Sequence, residues 1–143
     1  MLKSNFINIA IILSTINILW CCETGYIEIN NDCYFENDIQ FLQVLINNSQ
    51  IKENSPPIDL NPLELGHQIW ESGRLVEFCS STSTNTECRM EYALSGQIPL
   101  EIENLTELRK ISLESNKMIG RIPRQIKTLK KLEELKLSSN QFS

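Results

Sequence analysis

The stretch LRKISLESNKMIGRIP, residues 108–123, decides the fold of this chain because its spacing starts again 24 residues later. When residues 96–119 are placed above residues 120–143, their glycine, proline, asparagine and apolar positions coincide at one offset. The coincident pairs are Gly96 and Gly120, Ile98 and Ile122, Pro99 and Pro123, Ile102 and Ile126, Leu105 and Leu129, Leu108 and Leu132, Ile111 and Leu135, Leu113 and Leu137, and Asn116 and Asn140. A fixed period of this kind predicts a repeat architecture, in which stacked units bury a continuous core.

The spacing within one repeat predicts its conformation. Ile111 and Leu113 lie two positions apart, which places both side chains on one face of a short strand. Asn116 follows where the chain turns, and a buried asparagine there can bond backbone groups that no strand reaches. After Gly120 and Pro123, apolar residues return at a spacing of three, which is typical of a helical or 3₁₀ turn.

The run from Leu108 to Pro123 resembles the plant-type leucine-rich repeat, whose pattern is L-x-x-L-x-L-x-x-N-x-L-x-G-x-I-P. The pattern starts again at Leu132 and stops at Ser143, so the resemblance covers residues 94–143. It implies an α/β fold, a right-handed solenoid with short parallel strands on its concave face. In this family the concave face usually binds proteins or peptides, and sometimes polysaccharides.

The repeat pattern assigns two sets of residues to this fold. The side chains that alternate with the apolar strand positions form the candidate concave binding face, which consists of Lys110, Ser112, Glu114, Glu134, Lys136 and Ser138. The repeat asparagines are Asn116 and Asn140. Stacking is expected to set Lys110 beside Glu134 and Arg109 near Glu133, and such exposed pairs contribute only ~0.2–1 kcal/mol each.

The first residues indicate secretion. Lys3 precedes an apolar run from Phe6 to Trp20 that spans about 22 Å as a helix, short of the ~30 Å hydrocarbon core of a membrane. This arrangement is typical of a secretory signal peptide, and the alternatives are a buried helix or a retained membrane anchor. We expect a signal peptide over residues 1–22, cleaved between residues 20 and 26. The protein is then secreted or held on the extracellular face of the cell surface.

An oxidising compartment changes the interpretation of the cysteines. Cys79 and Cys88 enclose eight polar residues with little core of their own, so we predict a disulfide between them. Cys33 would pair with a retained Cys22 or stay free.

Two sequons, Asn47-Asn48-Ser49 and Asn104-Leu105-Thr106, become available once the chain enters the secretory route. They predict N-linked glycosylation at Asn47 and Asn104.

The residues before the repeats resemble the N-terminal cap of secreted plant-type repeat proteins. Asn37 or Asp38 is placed to cap an apolar helix, and Asn61-Pro62 opens a second apolar segment that reaches Trp70. The resemblance implies a mostly helical cap over residues 23–92, with His67 in a cap helix, followed by about two repeats over residues 93–143, the last incomplete. The first coil is degenerate, and a register shift would let Cys88 and Met90 face inward.

Composition and charge argue against catalysis and nucleic-acid binding. The chain has 143 residues, with 18 acidic and 13 basic side chains and a net charge of −5. Residues 26–99 carry eleven acidic and three basic residues, whereas residues 100–143 carry six and nine. His67 is the single histidine and has no nucleophile motif beside it, and no glycine-rich phosphate loop is present. We therefore expect no enzyme, no cofactor and no metal site.

The favoured function is an extracellular leucine-rich repeat module for protein or peptide recognition, either a receptor-like ectodomain or a soluble recognition protein, with polysaccharide as a second ligand class. The alternatives are an inhibitor of a secreted polysaccharide-degrading enzyme and a structural cell-surface protein. Membrane association is expected only if a further C-terminal part supplies an anchor. Because the second repeat stops at Phe142-Ser143, we expect a fragment of a longer repeat protein that would self-associate or bind a hydrophobic dye when expressed alone.

Overall fold

The computed structural model describes residues 22–84 and 88–143. The expected signal peptide lies almost wholly outside this range. The single α-helix of the described residues, α1, runs over Glu36–Asn48, and 3₁₀ turns occupy Ser49–Ile51, Pro62–Glu64, Leu100–Asn104 and Arg124–Thr128. The strands are β1 (Tyr26–Ile29), β2 (Asp32–Phe35), β3 (His67–Glu71), β4 (Arg74–Cys79), β5 (Ser95–Gly96), β6 (Lys110–Ser112), β7 (Lys117–Gly120), β8 (Glu134–Lys136) and β9 (Gln141–Phe142).

The strands form a hairpin and two sheets. Strands β1 and β2 pair with each other, and the larger sheet has the order β3-β4-β6-β8. Strands β5, β7 and β9 pair side by side in a second set. The β3–β4 pairing is antiparallel, whereas β4, β6 and β8 run parallel. Lys110 of β6 lies opposite Glu134 of β8, which is the 24-residue offset, so the repeat predicted from the sequence is confirmed by strand pairing.

The repeat asparagines hold successive coils together in the same way. The Nδ2 of Asn116 donates to the carbonyl oxygen of Ser80 at 2.7 Å, and its Oδ1 accepts from the Leu94 N–H at 2.9 Å. Asn140 makes the equivalent bonds one repeat later, to the Leu113 carbonyl at 2.7 Å and from the Met118 N–H at 3.0 Å. Each asparagine therefore satisfies backbone groups of the preceding coil that no strand partner reaches.

The coil before β6 is longer than the repeat. Glu77 of β4 lies opposite Lys110, and these residues are 33 positions apart in the sequence instead of 24. This coil therefore has nine more residues than the repeat. Cys79 and Cys88 are also nine positions apart, and the disulfide between them closes a segment of the same length. The expectation that Cys88 and Met90 form the inward strand positions is therefore wrong, because β4 supplies the strand that pairs with β6.

The N-terminal region also differs from the mostly helical cap that the resemblance implied. Its described residues contain α1 and two antiparallel hairpins, and His67 and Trp70 lie on strand β3 instead of a helix. The sequence HQIWE alternates exposed and half-buried positions, and this period of two is typical of a strand. Helix α1 begins at Glu36 without a side-chain cap, so neither Asn37 nor Asp38 caps it.

Asp38 instead joins α1 to the β3–β4 hairpin. Its buried carboxylate accepts from Arg74 Nε at 2.9 Å, from Arg74 Nη2 at 3.2 Å and from the Leu75 N–H at 2.9 Å. The Arg74 guanidinium also stacks over the Phe35 ring, with 4.2 Å from Cζ to the centroid. Charged groups are rarely buried unless they are paired in this manner.

Within the described part of the chain, one apolar core runs through α1 and the coils. The largest fully buried side chains belong to α1, to the β3–β4 region and to the repeats, and they include Phe41, Leu45, Phe78, Ile102, Leu108 and Ile111. Ile111 and Leu113 are 1% and 0% exposed, which confirms the strand face assigned from the sequence. Gly96 closes the contact with α1, because its φ is +77° and a Cβ there would lie 2.6 Å from the Asn48 carbonyl oxygen.

Candidate recognition surface

One face of the larger sheet packs on the core and the other points to solvent. Phe78 and Ile111, opposite each other on β4 and β6, are buried, so the residues on either side of them point away from the core. We call these solvent-directed positions the outward face, which consists of His67, Ile69, Glu77, Cys79, Lys110, Ser112, Glu134 and Lys136. They line a groove of about 270 Å³.

The outward face is organised in rows that cross the strands. Glu77, Lys110 and Glu134 lie opposite one another in the first row, so charge alternates from strand to strand. Cys79, Ser112 and Lys136 form the second row. Parallel register therefore brings together residues that are far apart in the sequence, and it does so at positions fixed by backbone pairing.

Ion pairs hold all four charged side chains of the two rows in place. Lys110 Nζ lies 3.0 Å from Glu77 Oε1, and Lys136 is bonded to Glu134 on its own strand. The Glu77 carboxylate raises the pKa of Lys110 from its ordinary value, with a smaller contribution from Glu134. The hydrogen bond from Lys136 lowers the pKa of Glu134, and the same bond raises the pKa of Lys136.

The sequence prediction for these pairs was partly wrong. Lys110 does lie opposite Glu134, but its ammonium group bonds to Glu77 of the neighbouring strand β4. Arg109 does lie near Glu133, whose N–H donates to the Arg109 carbonyl at 2.8 Å, but these two side chains form no ion pair. The Arg109 guanidinium instead makes two bonds, of 2.8 and 3.0 Å, to the carboxylate of Glu71 on β3. Both differences arise because the β3–β4 hairpin extends the sheet in front of β6, where the sequence indicated no strand.

The remaining two predicted face residues lie beyond the strands. Glu114 follows β6 and Ser138 follows β8, and the Ser138 hydroxyl donates to the Glu114 carboxylate. Glu114 and Ser138 are 24 positions apart, so this bond joins equivalent positions of two neighbouring repeats at the margin of the groove. Of the six predicted residues, Lys110, Ser112, Glu134 and Lys136 line the groove itself.

Three groove residues of the β3–β4 hairpin, His67, Ile69 and Glu77, are not among the face residues predicted from the sequence. His67 and Ile69 of β3 extend the outward face beyond β4, and Ile69 is 39% exposed. The available signal was the alternation in HQIWE, in which Gln68 and Trp70 occupy the opposite positions. Trp70 Nε1 donates to Gln68 Oε1 at 2.9 Å, which shows that these two side chains share one face. Ile69 therefore places an exposed apolar side chain beside the charged residues of the outward face.

Two disulfides join cysteines of the described residues, and one of them lies at this surface. Cys79 and Cys88 are bonded with a Cα–Cα distance of 5.5 Å, as the sequence predicted, and both residues line the groove. Cys22 and Cys33 are bonded with a Cα–Cα distance of 5.6 Å, which resolves the two fates left open for Cys33. Structural disulfides of this kind are typical of secreted proteins.

The described residues also limit other kinds of site. Within residues 22–84 and 88–143, no group of at least three His, Cys, Asp or Glu side chains could hold a metal ion. In the same part of the chain, no helix has the length and apolar character that crossing a membrane requires.

Comparison with known proteins gives similarity to solved structures only. No protein-family model matches this chain, and none of the curated proteins matches it. The leucine-rich repeat ectodomain of the receptor kinase SOBIR1 from Arabidopsis thaliana is 22% identical, with a TM-score of 0.49 over 76% of this chain and 56% of that chain. A plant ice-binding protein is 25% identical, with a TM-score of 0.48 over 73% of this chain and 33% of that one.

A structure of PEPR1-AtPEP1 is 20% identical, with a TM-score of 0.41 over 73% of this chain and 18% of that chain. The chain thus spans about half of the SOBIR1 ectodomain and a smaller share of the other two.

Proposed function

We propose that this chain is an extracellular recognition module that binds an extended segment of a protein or a peptide on the outward face. In this proposal residues 93–143 form the first coils of a right-handed solenoid, the outward face lies on its concave side, and the preceding region caps the first coil. The leader must then be cut before Cys22, because a cut after it would remove one partner of the Cys22–Cys33 disulfide.

The observation that carries this proposal is the alternating row Glu77–Lys110–Glu134 beside the exposed side chain of Ile69. The volume of the groove, about 270 Å³, is at the lower end of the range for small-molecule sites, which is about 300–1,000 Å³. An extended peptide needs no deep pocket, because it can place alternate side chains along a row of charged and apolar positions. Charge complementarity then sets its register and direction.

The charges of the outward face define the chemistry of the ligand. Glu77 and Glu134 flank Lys110, so a matching segment carries basic side chains on both sides of an acidic one. An aliphatic or aromatic side chain next to this motif would contact Ile69. An extended loop on the surface of a protein presents its side chains in the same order as a free peptide does. Peptide and protein ligands therefore belong to one class in this proposal.

A displayed library of random twelve-residue peptides tests this proposal. Peptides are selected on the secreted, disulfide-bonded chain, and their Kd is measured by fluorescence polarisation. Lys110→Glu should weaken binding at least about tenfold, which corresponds to about 1.4 kcal/mol, because it reverses the centre of the alternating row.

Lys127→Glu is the matched control, because Lys127 is exposed in the Arg124–Thr128 turn and does not line the groove. Binding to this control should stay within about twofold of the wild type, since only the groove carries the contacts in this account. Equal losses for both variants, or no selected peptide, would contradict the proposal.

A further inference from the structure

A second groove lies away from the outward face, at the C-terminal end of α1. It has a volume of about 400 Å³ and is lined by Asn47, Asn48, Ile51, Gly96, Gln97 and Ile119. Ile51 is 74% exposed and Ile119 is 37% exposed, so apolar surface faces water on both sides of this groove. We call it the helix-end groove. Exposed apolar patches on a secreted domain usually mark a contact site, because leaving them in water favours association.

Asn47 is the exposed asparagine of the Asn47-Asn48-Ser49 sequon, and it lines this same groove. Its Oδ1 accepts a hydrogen bond from Gln43 Nε2 at 3.1 Å on the surface of the helix. A sugar joined to its Nδ2 would therefore start at the rim of the helix-end groove, four residues before Ile51. One face of an N-acetylglucosamine ring consists of C–H groups, which can cover aliphatic side chains.

We propose that an N-linked glycan on Asn47 occupies the helix-end groove and that its first N-acetylglucosamine shields Ile51 and Ile119. This inference rests on the extracellular location in the proposed function and adds a modification with a structural role. In the transfer, Asn47 Nδ2 bonds to C1 of the sugar of a lipid-linked diphosphate oligosaccharide. The C1–oxygen bond breaks, the lipid diphosphate leaves with the electron pair, and the amide nitrogen loses one proton to a base.

The order of events follows from Ser49, the third residue of the sequon. In the fold its hydroxyl is fully buried, donates to the Leu45 carbonyl at 2.7 Å and accepts from the Ser95 N–H at 3.0 Å. A transferase must reach both Asn47 and this hydroxyl in an extended segment. Glycosylation therefore precedes the folding of α1 onto β5, and the glycan is present when the helix-end groove forms.

Asn104 provides an internal comparison, because its sequon lies in a different environment. It is half-buried at the end of the Leu100–Asn104 turn, and its carbonyl accepts from Arg74 Nη2 at 3.0 Å. It does not line the helix-end groove. A glycan on Asn104 should therefore leave Ile51 and Ile119 as exposed as before.

The test uses the chain secreted with its own leader from a eukaryotic host. Peptide mass spectrometry should find Asn47 glycosylated. Endoglycosidase H, which leaves one N-acetylglucosamine, should leave the fluorescence of a bound hydrophobic dye unchanged. Peptide N-glycosidase treatment of the folded protein and Asn47→Gln should both raise it about twofold, because they uncover the isoleucines. Asn104→Gln should leave the dye fluorescence unchanged. The double variant Asn47→Gln, Ile51→Ser should have the dye fluorescence of the glycosylated protein.

Equal dye fluorescence in the intact glycoprotein and after complete deglycosylation would overturn the inference. A secreted chain with a glycan on Asn104 and a bare Asn47 would also overturn it, and would leave the proposed function standing. A chain retained in the cytoplasm without either glycan would overturn both the extracellular location and the shielding role.

Discussion

At the scale of single residues, buried polar side chains do more for this fold than the exposed ion pairs on its surface. Asp38 is fully buried and accepts three hydrogen bonds, two of them from Arg74, whose side chain is only 16% exposed. Glu71 and Arg109 make an equally good two-bond pair, but their side chains are 52% and 42% exposed. Water can therefore solvate the charges of the exposed Glu71–Arg109 pair when this pair breaks, but it cannot reach the buried carboxylate of Asp38.

We predict that Asp38→Ala lowers the free energy of unfolding by ~3–5 kcal/mol, because it removes the carboxylate that pairs with the Arg74 charge and leaves Arg74 Nε and the Leu75 N–H without an acceptor. Glu71→Ala is the control and should cost less than about 1 kcal/mol. Urea denaturation of both variants measures the two losses. Similar losses would mean that the buried pair has no special role.

The ion pair between Lys136 and Glu134 on the outward face predicts how the Glu134 carboxylate titrates. Since Lys136 lowers the pKa of Glu134, this carboxylate should titrate below its ordinary value of 4.5. Its contribution to stability is then present above pH 4.5 and is lost as pH falls through the lowered pKa. Lys136→Met should move the pKa of Glu134 back towards 4.5, and Lys131→Met, which removes the partner of Glu107, should not. Side-chain NMR titration measures both, and an unmoved Glu134 would exclude the pair in solution.

At the scale of elements, the sequence predicted the parts that repeat and missed the part that does not. Strands β6 and β8 follow from the alternation around Ile111 and from the 24-residue offset. The β3–β4 hairpin is hidden in the sequence, because Ile69 and Trp70 belong to an apolar patch after Asn61-Pro62 that is also compatible with a helix. The insertion closed by the Cys79–Cys88 disulfide also removed β4 from the 24-residue register. Backbone pairing, which a single sequence does not encode locally, places this hairpin beside β6.

Gly96 is where β5 meets the end of α1, and it tests this contact directly. We predict that Gly96→Ala costs more than the ~1 kcal/mol typical of a positive φ, because the new methyl group would also meet the Asn48 carbonyl oxygen at 2.6 Å. Gly120→Ala is the matched control, since its φ is +81° but its nearest neighbour is the flexible side chain of Gln97. Thermal unfolding compares the two, and equal losses would contradict the close packing of α1 on β5.

At the scale of the whole molecule, charge is divided between the two parts of the chain, and the proposed recognition surface includes residues of both. The N-terminal region is acidic and the repeats are basic, and the outward face joins them by placing Glu77 of β4 beside Lys110 of β6. The four groove positions on β6 and β8 were predicted from the sequence, whereas His67, Ile69 and Glu77 enter through the hairpin. A ligand that follows the row would therefore contact both parts at once.

The central claim is that recognition occurs on the outward face, and NMR of the isotope-labelled secreted chain tests it most directly. Titration with a library-selected peptide should shift the backbone amides of β3, β4, β6 and β8, with the largest changes from Ile69 through Glu77 and Lys110 to Glu134. The amides of the Arg124–Thr128 turn should not move. Shifts centred on that turn or on the helix-end groove, with the outward face unchanged, would contradict the account.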